Sequence, residues 1–148
     1  MEQIMKSVSA QESSFHPLPA AATVADIVRL PLMTVQQHHH AAAAAYLMKH
    51  AGTTALIVED ARTGEPFGII TAADVARAVA DGKDVNQVWV DVVITTRPAI
   101  TATTSIRDAA DIMTTGHFRH LPVAGDVGLI GVVDIVDVCR ALIDAGEG

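Results

Sequence analysis

A hydroxyl and a carboxylate three residues apart close an apolar run in Gly68-Ile-Ile-Thr71-Ala-Ala-Asp74. Where a strand passes into a helix, such a pair can do two jobs. As a capping box, each side chain satisfies a free backbone amide of the first helical turn. The same spot also collects unpaired amides and the positive end of the helix dipole, which favour an anion. The two jobs are compatible. A related stretch, Gly131-Val-Val-Asp134-Ile-Val-Asp137, carries a second carboxylate in place of the hydroxyl. Asp134 is still a good helix cap. Two carboxylates facing a phosphate in a poorly solvated cleft, however, cost on the order of several kcal/mol. Arg119, with His117 and His120 beside it, offers the cationic counterpart: a planar fork and ring donors suited to phosphate oxygens. Their bland alternatives are a surface ion pair for Arg119 and a satisfied polar residue for His120.

Other reactive side chains lack partners. His38-His39-His40 diverge along one extended segment with no Cys or carboxylate at ligand spacing, so they read as an exposed helix start rather than a metal site. Cys139, the single cysteine, cannot form an internal disulfide, and its apolar helical surroundings predict a buried small hydrophobe. The scattered serines have no His and acid partners and there is no GxxxxGK loop, so no enzyme constellation emerges. The net charge of −7 is dispersed, and no basic stripe exists to replace counterions on nucleic acid. No apolar run approaches the length of a membrane span, and no signal peptide is evident, which predicts a soluble, cytoplasmic protein.

The elements that must position these residues come in two copies. Val24 to Val58, slid forward by 65 positions, falls without a gap on Trp89 to Val123, pairing Asp26 with Asp91, Val28 with Val93 and Met48 with Met113. Gly68 to Ala78 then falls on Gly131 to Ala141 at an offset of 63, the change sitting in the polar turn Asp60 to Pro66. Ala41, Ala44, Ala45 and Met48 fall at helical spacing, as do Ile106, Ala109, Ala110 and Met113. The second of these helices opens on a capping box, Ser105 to Asp108. Short apolar runs at Leu56–Val58, Phe67–Ile70, Leu121–Val123 and Leu129–Val133 read as buried strands. Val75, Ala78 and Val79 in one copy, and Val138, Ala141 and Leu142 in the other, mark a closing helix, with Gly82 and Gly146 as stop signals. The expected unit is an extended segment, helix, strand, strand, helix. The fold class is α/β (α+β): two pseudo-symmetric repeats, each a small sheet with helices on one face. A unit of about 60 residues is marginal alone, so the two are obligate partners. The expected division is a tail at 1–22, in which Phe15 and Leu18 are possible docking residues, a first repeat at 23–84 and a second at 85–146.

The pattern from about Thr23 to Ala145 resembles the cystathionine-β-synthase (CBS) domain, whose members occur as tandem pairs called Bateman modules. The resemblance rests in the second copy on Ile100-Thr-Ala-Thr-Thr-Ser-Ile106, Phe118-Arg-His-Leu-Pro-Val123 and Gly131-Val-Val-Asp-Ile-Val-Asp137, and in the first mainly on Gly68-Ile-Ile-Thr71-Ala-Ala-Asp74. It implies a non-catalytic sensor for an adenosyl ligand: AMP, ADP, ATP or S-adenosylmethionine. Thr71 would contact a phosphate, Asp74 would accept ribose hydroxyls, and adenine would lie near Thr54 to Val58, including Ile57. Thr95, Pro98 and Ala99 would add backbone contacts and an apolar wall, and Leu30 to Met33 would do the same for the other cleft. Arg119 and His120 would reach phosphate. The Asp137 cleft, burdened by Asp134, would be empty, hold a nucleoside or a cationic ligand such as S-adenosylmethionine, or need a metal ion. The resemblance also implies a homodimer formed through helices. With no effector domain evident, output would pass through an unidentified effector protein. The rival expectations are a structural dimerisation module without ligand and, more weakly, a metal-dependent enzyme using the histidine run.

Overall fold

Two matched halves make up the fold. The computed structural model describes residues 22–30 and 33–147. The first half contains β1 (Thr34–Gln36), α1 (Ala41–Ala51), β2 (Ala55–Glu59), β3 (Pro66–Thr71) and α2 (Ala72–Ala80). The second repeats the series with β4 (Ile100–Thr101), α3 (Ile106–Gly116), β5 (His120–Gly125), β6 (Gly128–Asp134) and α4 (Ile135–Glu147). In each half three strands form a sheet in chain order, the first pair parallel and the second antiparallel. This is the expected mixed α/β unit, twice.

The strand periodicity explains how the halves meet. β2 is buried on both faces: Leu56 and Val58 turn into the helix-covered core, while Ala55 and Ile57 turn toward the sister sheet. β3 sorts Ile70 inward and Ile69 outward, and β6 sorts Val133 and Val132 likewise. The sheets thus meet through a small apolar seam of Ala55, Ile57, Ile69 and Val132. The anticipated helix stripes supply the other faces, with Ala41, Ala44 and Met48 buried in α1 and Ile106, Ala109 and Met113 in α3. Both helices end in a left-handed residue, Gly52 (φ 64°) and His117 (φ 58°). Glycine takes that conformation freely, whereas histidine takes it at a cost.

Each core is completed by a segment from the wrong side of the sequence. Ala22 and Val24, which lead into the first half, are buried in the core of the second, whereas Val90 and Val93, which lead into the second half, are buried in the core of the first. Backbone hydrogen bonds fix both crossings: Val24 N–H donates to the Thr104 carbonyl and Val90 N–H to that of His39, while Ala25 and Asp91 donate to Ala102 and Gln37. Val24 therefore corresponds to Val90 and Ala25 to Asp91. The expected pairing of Asp26 with Asp91 and Val28 with Val93 is off by one residue in these lead-in segments.

Further expectations need correction. Ala22, assigned to the tail, is a core residue. The rest of the tail, with Phe15 and Leu18, lies outside the described residues. Helix α4 continues through Gly146 instead of stopping before it. Val79 and Cys139 are exposed, because each closing helix carries apolar residues on a second, outward face as well as on the core face.

The crossings give the two repeat-equivalent glycines unequal roles. A Cβ on Gly131 would stand 2.5 Å from the Arg29 carbonyl and 2.7 Å from Val28 Cγ2, whereas one on Gly68 meets only Ile94 Cδ1 at 3.9 Å. Gly131→Ala should therefore cost about 1–3 kcal/mol in urea denaturation by pushing the lead-in segment off β6. Gly68→Ala should change stability by no more than about 0.5 kcal/mol.

Candidate functional site

Two clefts lie where the halves meet. The first, of about 560 Å³, opens at the N-terminus of α2 and is lined by Thr71, Arg77, Thr95 and Arg97, with Gly116 to His120 contributed by the other half. The second, of about 590 Å³, is lined by Arg29, Gly52 to Ala55, His120 and Asp134. Thr54 and His120 border both and are joined by a 2.9 Å hydrogen bond between Thr54 Oγ1 and His120 Nε2.

In the first cleft Thr71 and Asp74 form a complete capping box. Asp74 N–H donates to Thr71 Oγ1 (3.2 Å) and Thr71 N–H donates to Asp74 Oδ2 (2.9 Å). The other carboxylate oxygen, Oδ1, accepts from the Thr95 hydroxyl (2.7 Å), Arg97 (3.0 Å) and Arg77 (3.4 Å). Arg97 also donates to Thr71 Oγ1 (3.1 Å) and to the Thr95 carbonyl (3.2 Å), and its side chain is only 6% exposed. Burial pushes the Asp74 carboxyl up, but the hydrogen bonds from Arg97, the Thr71 amide and the Thr95 hydroxyl outweigh it and hold the group below its ordinary value of 3.8.

The second cleft is built from different charges. Asp137 is gripped bidentately by Arg29, with Nε to Oδ2 at 2.5 Å and the terminal nitrogen to Oδ1 at 2.8 Å. Asp134 caps α4 by accepting from Val136 N–H at 2.7 Å, and its Oδ2 stands 3.3 Å from His120 Nε2. Burial lowers the His120 pKa below 6.5, the nearby Arg97 charge adds to this, and Asp134 opposes it.

Of the sequence-predicted residues, Thr71, Thr95, Arg119, His120 and Thr54 meet around the first cleft. Asp74 lies behind its wall, Asp137 stands with Arg29 at the second cleft, and Ile57 and Val58 are buried inside cores. Ala99 faces a smaller hollow of about 260 Å³ beside Phe67 and Pro122, and Pro98 is exposed on the chain next to it. Leu30 lines the second cleft, while Pro31 and Leu32 of the anticipated wall lie outside the described residues. His38 is exposed, with its ring 4.2 Å from that of Trp89, and His40 precedes α1 without capping it through its side chain. Sequence reasoning missed Arg29 and Arg97 as partners of the two aspartates. The available signal was chemical: a carboxylate expected at a buried helix start needs a cation, and each lead-in segment carries one.

A family model of the CBS domain matches residues 24–81 and 89–144. The chain belongs to the CBS-domain family. An uncharacterized 17.7 kDa protein of Acidianus ambivalens is 36% identical over 98 residues, which cover 66% of this chain and 58% of that one. The chain spans roughly a third to just over half the length of the curated relatives it matches. A CBS-domain protein of Agrobacterium tumefaciens, 28% identical, superposes with a TM-score of 0.72 over 86% of this chain and 98% of that one. A CBS-domain protein of Pyrobaculum aerophilum, solved in complex with AMP, is 18% identical with a TM-score of 0.72 over 85% and 99%. Within this CBS pair no described helix is long and apolar enough to cross a membrane.

The two arginine–aspartate pairs differ in exposure, and stability should register it. Arg97→Ala leaves the Asp74 carboxylate buried without its main partner, at an expected cost of about 3–5 kcal/mol in urea denaturation. Arg29 is 66% exposed but its partner Asp137 is only 12% exposed, so Arg29→Ala should cost about 1–3 kcal/mol, less than Arg97→Ala. Because the Asp74 pKa is lowered on folding, its contribution is complete above the ordinary carboxylate value and is lost as pH falls through the lowered one. Asp74→Asn should flatten that acid limb of the stability profile.

Proposed function

We propose that this CBS pair is a non-catalytic sensor that binds one adenine nucleotide per chain in the Thr71 cleft. The observation that carries the reading is the gathering of Arg77, Arg97 and Arg119, with His117 and His120, around the start of α2 in a chain of net charge −7. Among the described residues no carboxylate lines that cleft, and the N-terminus of α2 adds its dipole. His117 supports the reading further: it holds a left-handed backbone where the other half has Gly52, a cost that makes sense at a ligand site. The AMP complex of the similarly folded Pyrobaculum protein fits the same class of ligand.

The second cleft, with Asp134 on its wall, is unsuited to phosphate and suits a neutral or cationic adenosyl group such as S-adenosylmethionine. Output is read by an effector protein in the cytoplasm. Exposed Val136 and Ile143 on α4, together with Val79 on α2, provide apolar helical surface for a homodimer. A ligand changes the dimer or its partner contacts only by binding one arrangement better than another.

Calorimetric titration with AMP, ADP, ATP and S-adenosylmethionine tests this reading. Binding of at least one adenine nucleotide is expected, weakened at least tenfold in His117→Ala/Arg119→Ala, a change on the exposed loop. Absence of both heat and thermal stabilisation with all four would leave the structural dimerisation module.

A further inference from the structure

The two crossings are built alike but fastened differently. Arg29 and Thr95 hold equivalent places, because Val28 N–H donates to the Val24 carbonyl and Ile94 N–H to that of Val90, and the next residue in each case reaches an aspartate, Asp137 or Asp74. In the first crossing Arg29 is clasped to β6: its N–H donates to the Val132 carbonyl at 2.9 Å, and its carbonyl accepts from Val132 N–H at 3.0 Å. Among the described residues Thr95 and Ile69, the matching pair of the second crossing, share no backbone hydrogen bond. Ile69 lies opposite Ile57 as Val132 lies opposite Pro122, so its N–H and C=O likewise turn away from the neighbouring strand. On that side lies the hollow of about 260 Å³ between Phe67–Ile69 and Ile94–Arg97.

Two further observations mark this open seat as one of two. Gly131 has to be glycine for its crossing to close, since a Cβ there would stand 2.5 Å from the Arg29 carbonyl oxygen. Gly68 has no such duty in the open seat: only Ile94 Cδ1, at 3.9 Å, comes near the position of its Cβ, and its backbone is not left-handed. Glycine inside a strand carries an entropic cost, and clearance for a closed crossing is what it gives in return. The open seat also leaves Arg97 Nε buried without a partner among the described residues.

We infer that Ile94–Ala99 is a strap with a second, closed seat, in which the N–H and C=O of Thr95 pair with Ile69 as those of Arg29 pair with Val132. Closure fills the hollow. Thr95 and Arg97 also line the Thr71 cleft, so the seat of the strap sets the shape of that wall.

Disulfide trapping in the ligand-free full chain tests the closed seat, in a Cys139→Ser background because Cys139 is exposed. Residues opposed as Arg29 and Val132 are have Cα atoms about 5.5 Å apart, within disulfide reach. Ile69→Cys/Thr95→Cys should therefore form an intramolecular bond when treated with oxidised glutathione, and adding Gly68→Ala should slow its formation at least about tenfold. A pair that stays reduced, or that oxidises as fast with Gly68→Ala, overturns the strap. If the double variant does not fold, amide relaxation dispersion on the unmodified chain decides: exchange at Ile69 and Thr95 that disappears in Gly68→Ala is expected, and flat or unchanged profiles overturn the strap. No nucleotide enters either measurement, so failure here leaves the nucleotide sensor standing, and failure of the nucleotide titration leaves the strap.

Discussion

Val24 and Val90 are fully buried, each in the core of the half that its own segment does not lead into. A half of this size is marginal by itself. Exchange of lead-in segments supplies the missing apolar side chains and makes folding of the halves interdependent. The exchange also determines where the clefts fall. Each crossing strand of backbone runs past the start of the other half's closing helix, so Arg29 arrives at Asp137, and Thr95 with Arg97 arrives at Asp74. Any ligand that shifts Arg97 therefore pulls on the same segment that holds Val90 and Val93 in the first core.

From this common scaffold the charges diverge. Position for position, the loop after α1 is Gly52-Thr53-Thr54 and the loop after α3 is His117-Phe118-Arg119. The neutral loop lines the cleft that contains Asp134, and the basic loop lines the cleft that contains Thr71. Phe118 anchors the basic loop: its ring sits so close over Gly116 that a Cβ there would fall 2.2 Å from it. Among the described residues the same fold thereby produces one cleft whose charged lining is cationic and one with mixed charge.

The legible part of this was local. Apolar spacing at Ala41, Ala44 and Met48, and at Ile106, Ala109 and Met113, is enough to place α1 and α3, because a helix buries one stripe. Thr71 and Asp74 declare a capping box through their separation alone. The arginine partners and the one-residue slip of the lead-in segments were not legible, because both depend on contacts between residues far apart in sequence, and periodicity carries no record of those. Cys139 and Val79 misled for a related reason. Their helices are apolar on two faces, and only the fold reveals which face meets the core.

The clefts are also not independent. Thr54 and His120 form the wall between them, and His120 Nε2 lies within 2.9 Å of the Thr54 hydroxyl and 3.3 Å of Asp134. Neutral imidazole has one N–H to give, so the Thr54 hydroxyl and Asp134, which both approach Nε2, compete for it. Burial favours the neutral ring, which keeps that competition in force near neutral pH. The two clefts thus share a single side chain, His120, and the asymmetry of their walls is a property of the pair rather than of either half.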